Sequence, residues 1–313
     1  MAKPVFQNGT KNILGIQELD RFSESDLQKW QEASEKMDEL SNVLFFGTEP
    51  NRRRLRSQLI AALSGAASLS YDFEHWVRSV TYQYSFEPLS CVGSLTDIGG
   101  RFNAGFELDD NPLKPWPALY IAQDLETAYR EKFGLASTDL VDGLRPEELG
   151  LEGKTSHSNI VLNGSIERVF DMTVFTSLNT VGSVLRQIKM PREAGRLKQA
   201  LKIPDKELSM VQNGQQLFNL VTKQNWRVNP RQFGLPSQSQ ILAELIRSAG
   251  FEAILYQSSK GPGRCLAIFP DKLGDKSFVQ LCDKPPHPDT TTRLDANSAS
   301  KLEGWEVVPR NLR

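Results

Sequence analysis

Apolar residues recur at helical spacing twice in the first seventy positions. In residues 23–40, SESDLQKWQEASEKMDEL, Leu27, Trp30, Met37 and Leu40 return near a 3.6-residue period, and Ser25 and Gln28 stand at the spacing of a capping box. In residues 51–69, Leu55, Leu59, Ala62 and Leu63 supply the apolar side of a second helix. From about Tyr71 the pattern shortens to strand-like pieces. VRSVTYQYSFEPL is rich in β-branched and aromatic residues, and ALYIA (118–122) is a short apolar run after the turn-forming NPLKPWP. Asp124 then predicts the N-cap of a helix reaching about Phe133. SNIVLNG and IERVFDMT read as two strands joined in a hairpin at Asn163-Gly164. Residues 174–224 are mainly helical in pattern, interrupted by Pro191 and Pro204, and read as an insertion packed on the sheet. ILAELIRSA (241–249) predicts a short helix stopped by Gly250, followed by the strands FEAILY and CLAIF with QSSKGPGR turning between them. The polar, proline-containing stretch after Cys282 predicts a loop or linker before GWEVVP. No internal repeat is visible.

Composition narrows what the chain can do. Its 313 residues suffice for one large domain with extensions or for two domains. Lys+Arg (37) and Asp+Glu (38) nearly cancel, so no global field recruits nucleic acid or an anionic membrane, and any anion site must be local. Cys91, Cys265 and Cys282 are odd in number and far apart, which suggests reduced thiols in a cytosolic setting. The segment MAKPVFQNGTKNILGIQELDRF lacks the apolar core of a signal peptide, and no run approaches the roughly 18 to 20 apolar residues of a membrane span. A cytoplasmic location is the expectation.

Most catalytic signatures are missing. There is no Walker loop, no metalloprotease helix motif and no dinucleotide fingerprint, since GPGR (261–264) joins two strand patterns. His75, His157 and His287 have no neighbouring cysteine or second histidine, so no zinc site is expected. Cys265 reads as a small buried strand residue, and Arg52, Arg53, Arg54 and Arg56 as a solvated basic face.

Four residues keep two readings each. In GGRFN (99–103) the glycines allow close approach of a ligand and Arg101 offers a planar fork of donors suited to phosphate, although a structural salt bridge would use it as well. Glu131 shares a helical face with Asp124 and Thr127, away from the Leu125, Tyr129 and Phe133 stripe, as a solvated glutamate would. Tyr120 is a core aromatic or a stacking platform. Ser258 caps a turn or supplies a working hydroxyl.

The order GGRFNAG, ALYIAQDLETAYRE, IERVFDMT, then PSQSQILAELIRSAGFEAILYQSS with CLAIF resembles the RES family, named for its arginine, glutamate and serine, over about residues 76–283. The resemblance implies an α+β protein whose main domain is a split, mixed β-sandwich like that of the ADP-ribosyltransferases, with flanking helices; the N-terminal helical extension (1–75), without counterpart in the compact family members, the helical insert (174–224) and the C-terminal tail (284–313) are read from the residue pattern. The resemblance also implies a bacterial toxin that breaks down NAD by hydrolysis or phosphorolysis of the nicotinamide–ribose bond and so arrests growth. NAD is then a substrate, and no cofactor or metal is required. A helix-turn-helix antitoxin is the implied partner, with no membrane or direct nucleic-acid contact, and a homo-oligomer is left open. Carried over by motif, the family arginine falls on Arg101, its tyrosine on Tyr120, its glutamate on Glu131 and its serine on Ser258. Asn103 joins Arg101, Tyr120 and Ser258 as an NAD contact. The chain departs from the family at Phe102, where tryptophan is usual, and at YQSSK, where Ser259 competes with Ser258. Two other readings stand beside this one: transfer of ADP-ribose to a protein or nucleic acid, and a non-catalytic binding module.

Overall fold

The computed structural model describes residues 24–108, 113–133, 156–223 and 225–303, with side chains from residue 27 onward. Its contacts divide the chain into two compact units, residues 1–48 with 190–209, and residues 49–189 with 210–313.

Helix α1 runs from Glu24 to Ser64 and contributes to both units. The two helices expected from the periodicity are therefore one, continuous through Pro50. Proline removes one backbone donor from a helix interior, a loss confined to a single turn. Thr48 sits in that stretch, its Oγ1 donating to the Leu44 carbonyl at 2.7 Å. Because the helix already begins at Glu24, Ser25 lies within it and is not its N-cap. In the first unit Leu40 packs with Ala194 and Leu197, the latter two from helix α4 (Arg192–Ala200 when the helices are numbered in chain order).

The second unit holds an α+β assembly. Its strands are β1 (Ser68–Thr81), the short pair β2 (Gly99–Gly100) and β3 (Asn103–Ala104), β4 (Leu119–Ala122), β5 (His157–Asp171), β6 (Ala253–Gln257), β7 (Arg264–Ile268), β8 (Phe278–Leu281) and β9 (Arg293–Leu294). Its further helices are α2 (Leu125–Phe133), α3 (Asn179–Leu185), α5 (Gly214–Val221), α6 (Val228–Phe233), α7 (Gln238–Ser248) and α8 (Ala299–Glu303).

Seven strands form one mixed sheet in the order β1-β4-β7-β6-β5-β8-β9. All pairings are antiparallel except β5 with β6. β1 also pairs with β5 along almost its whole length, from Ser68–Phe170 to Thr81–His157. Where the resemblance implies a split sandwich, the strands thus curl into a partial barrel, joined between β1 and β4 by the pair Val77–Ala122.

Alternation assigns the faces. Leu119, Ile121, Leu255, Leu266 and Ile268 enter one buried cluster, while Ala122, Ile254, Tyr256, Cys265 and Ala267 enter the other with helices α1 and α7. A period of two over both strands of the β6–β7 hairpin is what a sheet buried on both sides requires.

The Asn163-Gly164 hairpin is not formed, and β5 runs straight through both residues. Gly164 is there because a Cβ would collide with the Phe73 ring. The Asn163 side chain accepts the His75 amide at 2.8 Å, where β1 bulges with His75 at φ 55°. A dipeptide that signals a turn locally is used here to receive an aromatic ring and to pin a bulge on the neighbouring strand. The polar stretch after Cys282 is also not an unstructured linker. It carries β9 and α8, and Glu87 accepts from both the amide and hydroxyl of Thr291. GWEVVP lies outside the described residues. Among the described residues, no helix is long and apolar enough to cross a membrane.

Candidate functional site

A cleft of about 570 Å³ opens in the second unit, walled by β1, the β2–β3 loop, β4, α2 and Arg231 of α6 with the loop before it. Arg101, Tyr120 and Glu131 all line it.

The GGRFN loop is built from its asparagine outward. Asn103 is fully buried, and its Oδ1 accepts the Gly100 amide and the Tyr120 hydroxyl, each at 2.9 Å. Its Nδ2 donates to the carbonyls of Ser94 (2.7 Å) and Trp116 (3.1 Å). Both ends of the amide are thus spent inside the protein, so Asn103 shapes the loop. Gly100 is required by contact, since a Cβ there would lie 2.5 Å from the Tyr120 hydroxyl. Gln240, in the capping box that starts α7, clamps the loop by donating to the carbonyls of Ile98, Gly100 and Asn103. Phe102 is buried edge-on against Tyr256, ring centroids 4.7 Å apart.

This scaffold presents Arg101. Its Nη1 donates to the carbonyls of Lys223 (3.0 Å) and Val221 (3.4 Å), and Nη2 donates to Ser259 Oγ (3.1 Å). The salt bridge that would have made it a purely structural residue is not formed among the described residues. Neutral acceptors hold the guanidinium without cancelling its charge. The Tyr120 hydroxyl donates to Asn103 and accepts the Phe102 amide at 2.9 Å. Burial raises its phenol above the ordinary value, which keeps it a proton donor.

The hairpin between β6 and β7 brings in the serines. Gly263 donates its amide to Thr127 Oγ1 at 2.9 Å, and a Cβ on Gly263 would strike that hydroxyl and the Asp124 carboxylate. Asp124 meanwhile accepts the Thr127 amide at 2.7 Å, as the N-cap of α2. The start of α2 and the glycine turn are therefore pressed together, which sets Ser258 against the next turn of the helix. Ser258 Oγ donates to Glu131 Oε1 at 2.6 Å while accepting the amides of Lys260 (3.0 Å) and Gly261 (2.8 Å). Both readings of Ser258 hold at once: it caps its own turn and holds the glutamate. The two serines divide the work, Ser258 with Glu131 and Ser259 with Arg101.

The sequence pattern did not point to two further residues of the cleft. Trp226 and Arg227 line the cleft, the guanidinium 4.8 Å above the indole ring. Burial and then the neighbouring Arg101 charge lower the Arg227 pKa from its ordinary value, while Glu131 acts in the opposite sense. Arg231 forms a two-pronged ion pair with Asp97, on the rim of the same cleft. The adjacent aromatic and cation in QNWRVNPRQ were a usable sign, but one with no local partner to interpret it. The four arginines of α1 do not join the site. Arg52 and Arg53 pair with Glu49, Arg54 with Asn51, and Arg56 with Glu244.

No family model matches the chain. No curated protein matches it. Among solved structures it is similar to a chain of the crystal structure of the M. tuberculosis MbcT-MbcA toxin-antitoxin complex, at 13% identity and a TM-score of 0.39, over 79% of this chain and 97% of that one. What the coordinates define by themselves is an α+β protein with a partly closed mixed sheet and a polar cleft at its side.

Proposed function

We propose that the chain is an NAD-consuming toxin of the RES kind, cleaving the nicotinamide–ribose bond by hydrolysis or phosphorolysis and held in check by a helix-turn-helix antitoxin. The observation that carries the reading is the Ser258–Glu131 hydrogen bond of 2.6 Å, with Glu131 lining a cleft that also presents Arg101, Arg227 and Tyr120. Likeness to the ADP-ribosyltransferase fold belongs to the same proposal.

The chemistry follows from the charges. Rupture of the C1′–N bond builds oxocarbenium-like positive charge on the ribose, as in glycoside hydrolysis. Glu131, the carboxylate fixed by Ser258, stabilises that charge and orients the attacking oxygen. Arg101 and Arg227 face a pyrophosphate with two charges that no carboxylate among the described residues neutralises directly. Tyr120 offers a ring whose orientation is fixed by its two hydroxyl bonds, a surface for the nicotinamide.

The test is nicotinamide release from NAD by the purified chain, with product analysis in the presence and absence of phosphate. Wild type is expected to release nicotinamide, and Glu131→Gln to lower the rate by about 10²-fold or more, the usual size of a positioned acid–base group. An inert wild type, or a Glu131→Gln variant as fast as wild type, refutes the proposal.

A further inference from the structure

A second cavity, of about 210 Å³, lies beside the cleft and shares Arg101 and Tyr256 with it. Phe102, Met172 and Tyr256 line it and are buried, the Phe102 and Tyr256 rings edge-on at 4.7 Å. Phe218, Thr222 and Ser259 line it too and are half-buried, so the space is open to solvent on their side. Three aromatic rings and a thioether around one space offer edge and face contacts to a further flat ring. A cavity of about 150 Å³ with aliphatic and aromatic walls stays dry and takes up benzene. At about 210 Å³ this one has room for a base of one or two fused rings. Among the described residues, the charged side chain on its wall is Arg101, and no carboxylate lines it.

Arg101 stands between the cavity and the cleft. Its Nη1 donates to the carbonyls of Val221 (3.4 Å) and Lys223 (3.0 Å), at the end of α5, and its Nη2 donates to Ser259 Oγ (3.1 Å), at the start of the β6–β7 turn. The guanidinium is therefore strung between the two segments that wall the cavity, and it borders the cleft as well. Glu131 lines the cleft and not the cavity, whereas Ser258, its partner at 2.6 Å, lines the cavity and not the cleft.

A dinucleotide carries two flat bases joined through a central pyrophosphate. With the pyrophosphate on Arg101, one base falls on each side of the guanidinium. The base that is cut away must lie where Glu131 reaches its ribose, which is the cleft. In NAD that base is also the cationic one, and a space whose charged wall is Arg101 repels it. The cavity is left to the neutral base.

We infer that the cavity between the end of α5 and the start of the β6–β7 turn is a purine subsite, taking the adenine of the dinucleotide whose pyrophosphate Arg101 holds. The inference rests on the NAD reading of the cleft, but its test requires no turnover.

Calorimetry on the full chain measures binding of ADP, which carries adenine and a pyrophosphate, and of inorganic pyrophosphate, which carries no base. ADP is expected to bind at least tenfold more tightly than pyrophosphate. Phe218→Ala removes one wall and weakens ADP binding at least fivefold, the scale of a lost base-stacking contact. Thr222→Phe fills the space and weakens it at least tenfold. Neither variant changes pyrophosphate binding more than twofold, which separates a lost base pocket from a damaged fold. Both positions are half-buried at the end of α5, and Phe218→Ala keeps the test usable should Thr222→Phe fail to fold. Equal affinities for ADP and pyrophosphate, no saturable binding of ADP, or ADP affinities unchanged in both variants overturn the inference. So does a Thr222→Phe variant that binds nicotinamide mononucleotide more weakly and ADP as well as wild type, since the other base would then occupy the cavity. ADP binding in the expected pattern by a chain that releases no nicotinamide refutes NAD cleavage alone. Nicotinamide release together with ADP binding indifferent to both variants refutes the purine subsite alone.

Discussion

Substitution of Gly100 by alanine tests the architecture of the site with one methyl group. The new Cβ would stand 2.5 Å from the Tyr120 hydroxyl and 2.7 Å from both Asn103 Oδ1 and Tyr120 Cε2. Neither side chain can yield alone, because the hydroxyl bonds Asn103 and the Phe102 amide while Asn103 bonds the Gly100 amide, all at 2.9 Å. Three hydrogen bonds at about 1 kcal/mol each, with some overlap with an overpacking cost of about 1–3 kcal/mol, give a destabilisation of about 3–5 kcal/mol. That is a large part of the roughly 5–15 kcal/mol that keeps a typical domain folded. At about 2–4 °C per kcal/mol, the midpoint of thermal unfolding should fall by about 10 °C. On the proposed function, release of nicotinamide by the remaining folded protein should drop at least tenfold, since both Tyr120 and the turn that presents Arg101 must move. A variant melting within about 2 °C of wild type and turning over NAD at the wild-type rate would sink the reasoning, because the crowding at Gly100 would then not exist.

Gly195 is the opposite case: it lies in helix α4 with nothing within 4 Å of an added Cβ, so Gly195→Ala should stabilise the chain by about 0.5–1 kcal/mol in urea denaturation. Burial pushes the Cys91 thiol from its ordinary 9.0 up to about 12 and raises Cys265 as well, so the folded state holds these protons more tightly than the unfolded one. Stability from these groups is full below about pH 9 and is lost as pH rises towards 12; melting curves between pH 8 and 11 should show that decline. A thiol reagent at pH 9 should label Cys282 alone in the native chain and all three cysteines in guanidinium. Glu252 is a buried carboxylate receiving the Ser277 hydroxyl at 2.5 Å, the Gly274 amide at 2.9 Å and the Glu167 amide at 3.2 Å; Glu252→Ala should cost about 3–5 kcal/mol, read by the same denaturation, without altering the cleft.

Element types were legible where the deciding interactions are local. The Asp124 cap placed the start of α2 correctly, and the apolar runs at 118–122 and 265–269 fall on β4 and β7. The helix ending before Gly250 was found, but it starts earlier, at Gln238, because the Ser237–Gln240 capping box governs its first turn. Signals with two physical uses were misread. Asn163-Gly164 favours a tight turn in isolation, yet the Phe73 ring across the sheet makes the same glycine necessary in a straight strand. Pro50 punctuates a sequence, yet α1 continues through it.

The candidate site divides along the same line. The family resemblance carried by the motif order supplied the set Arg101, Tyr120, Glu131 and Ser258, and the near-neutral charge supplied the expectation that any anion site is built locally. Only the tertiary structure decided that Ser258 rather than Ser259 meets Glu131, that Asn103 is consumed inside its loop, and that Trp226, Arg227, Arg78 and Lys132 share the cleft. Periodicity, capping and turn chemistry act over a few residues and leave a trace in the sequence itself. A hydrogen bond between positions 127 residues apart exists only because the glycines of the β6–β7 hairpin let it press against the start of α2, and that close approach is a property of the folded chain as a whole.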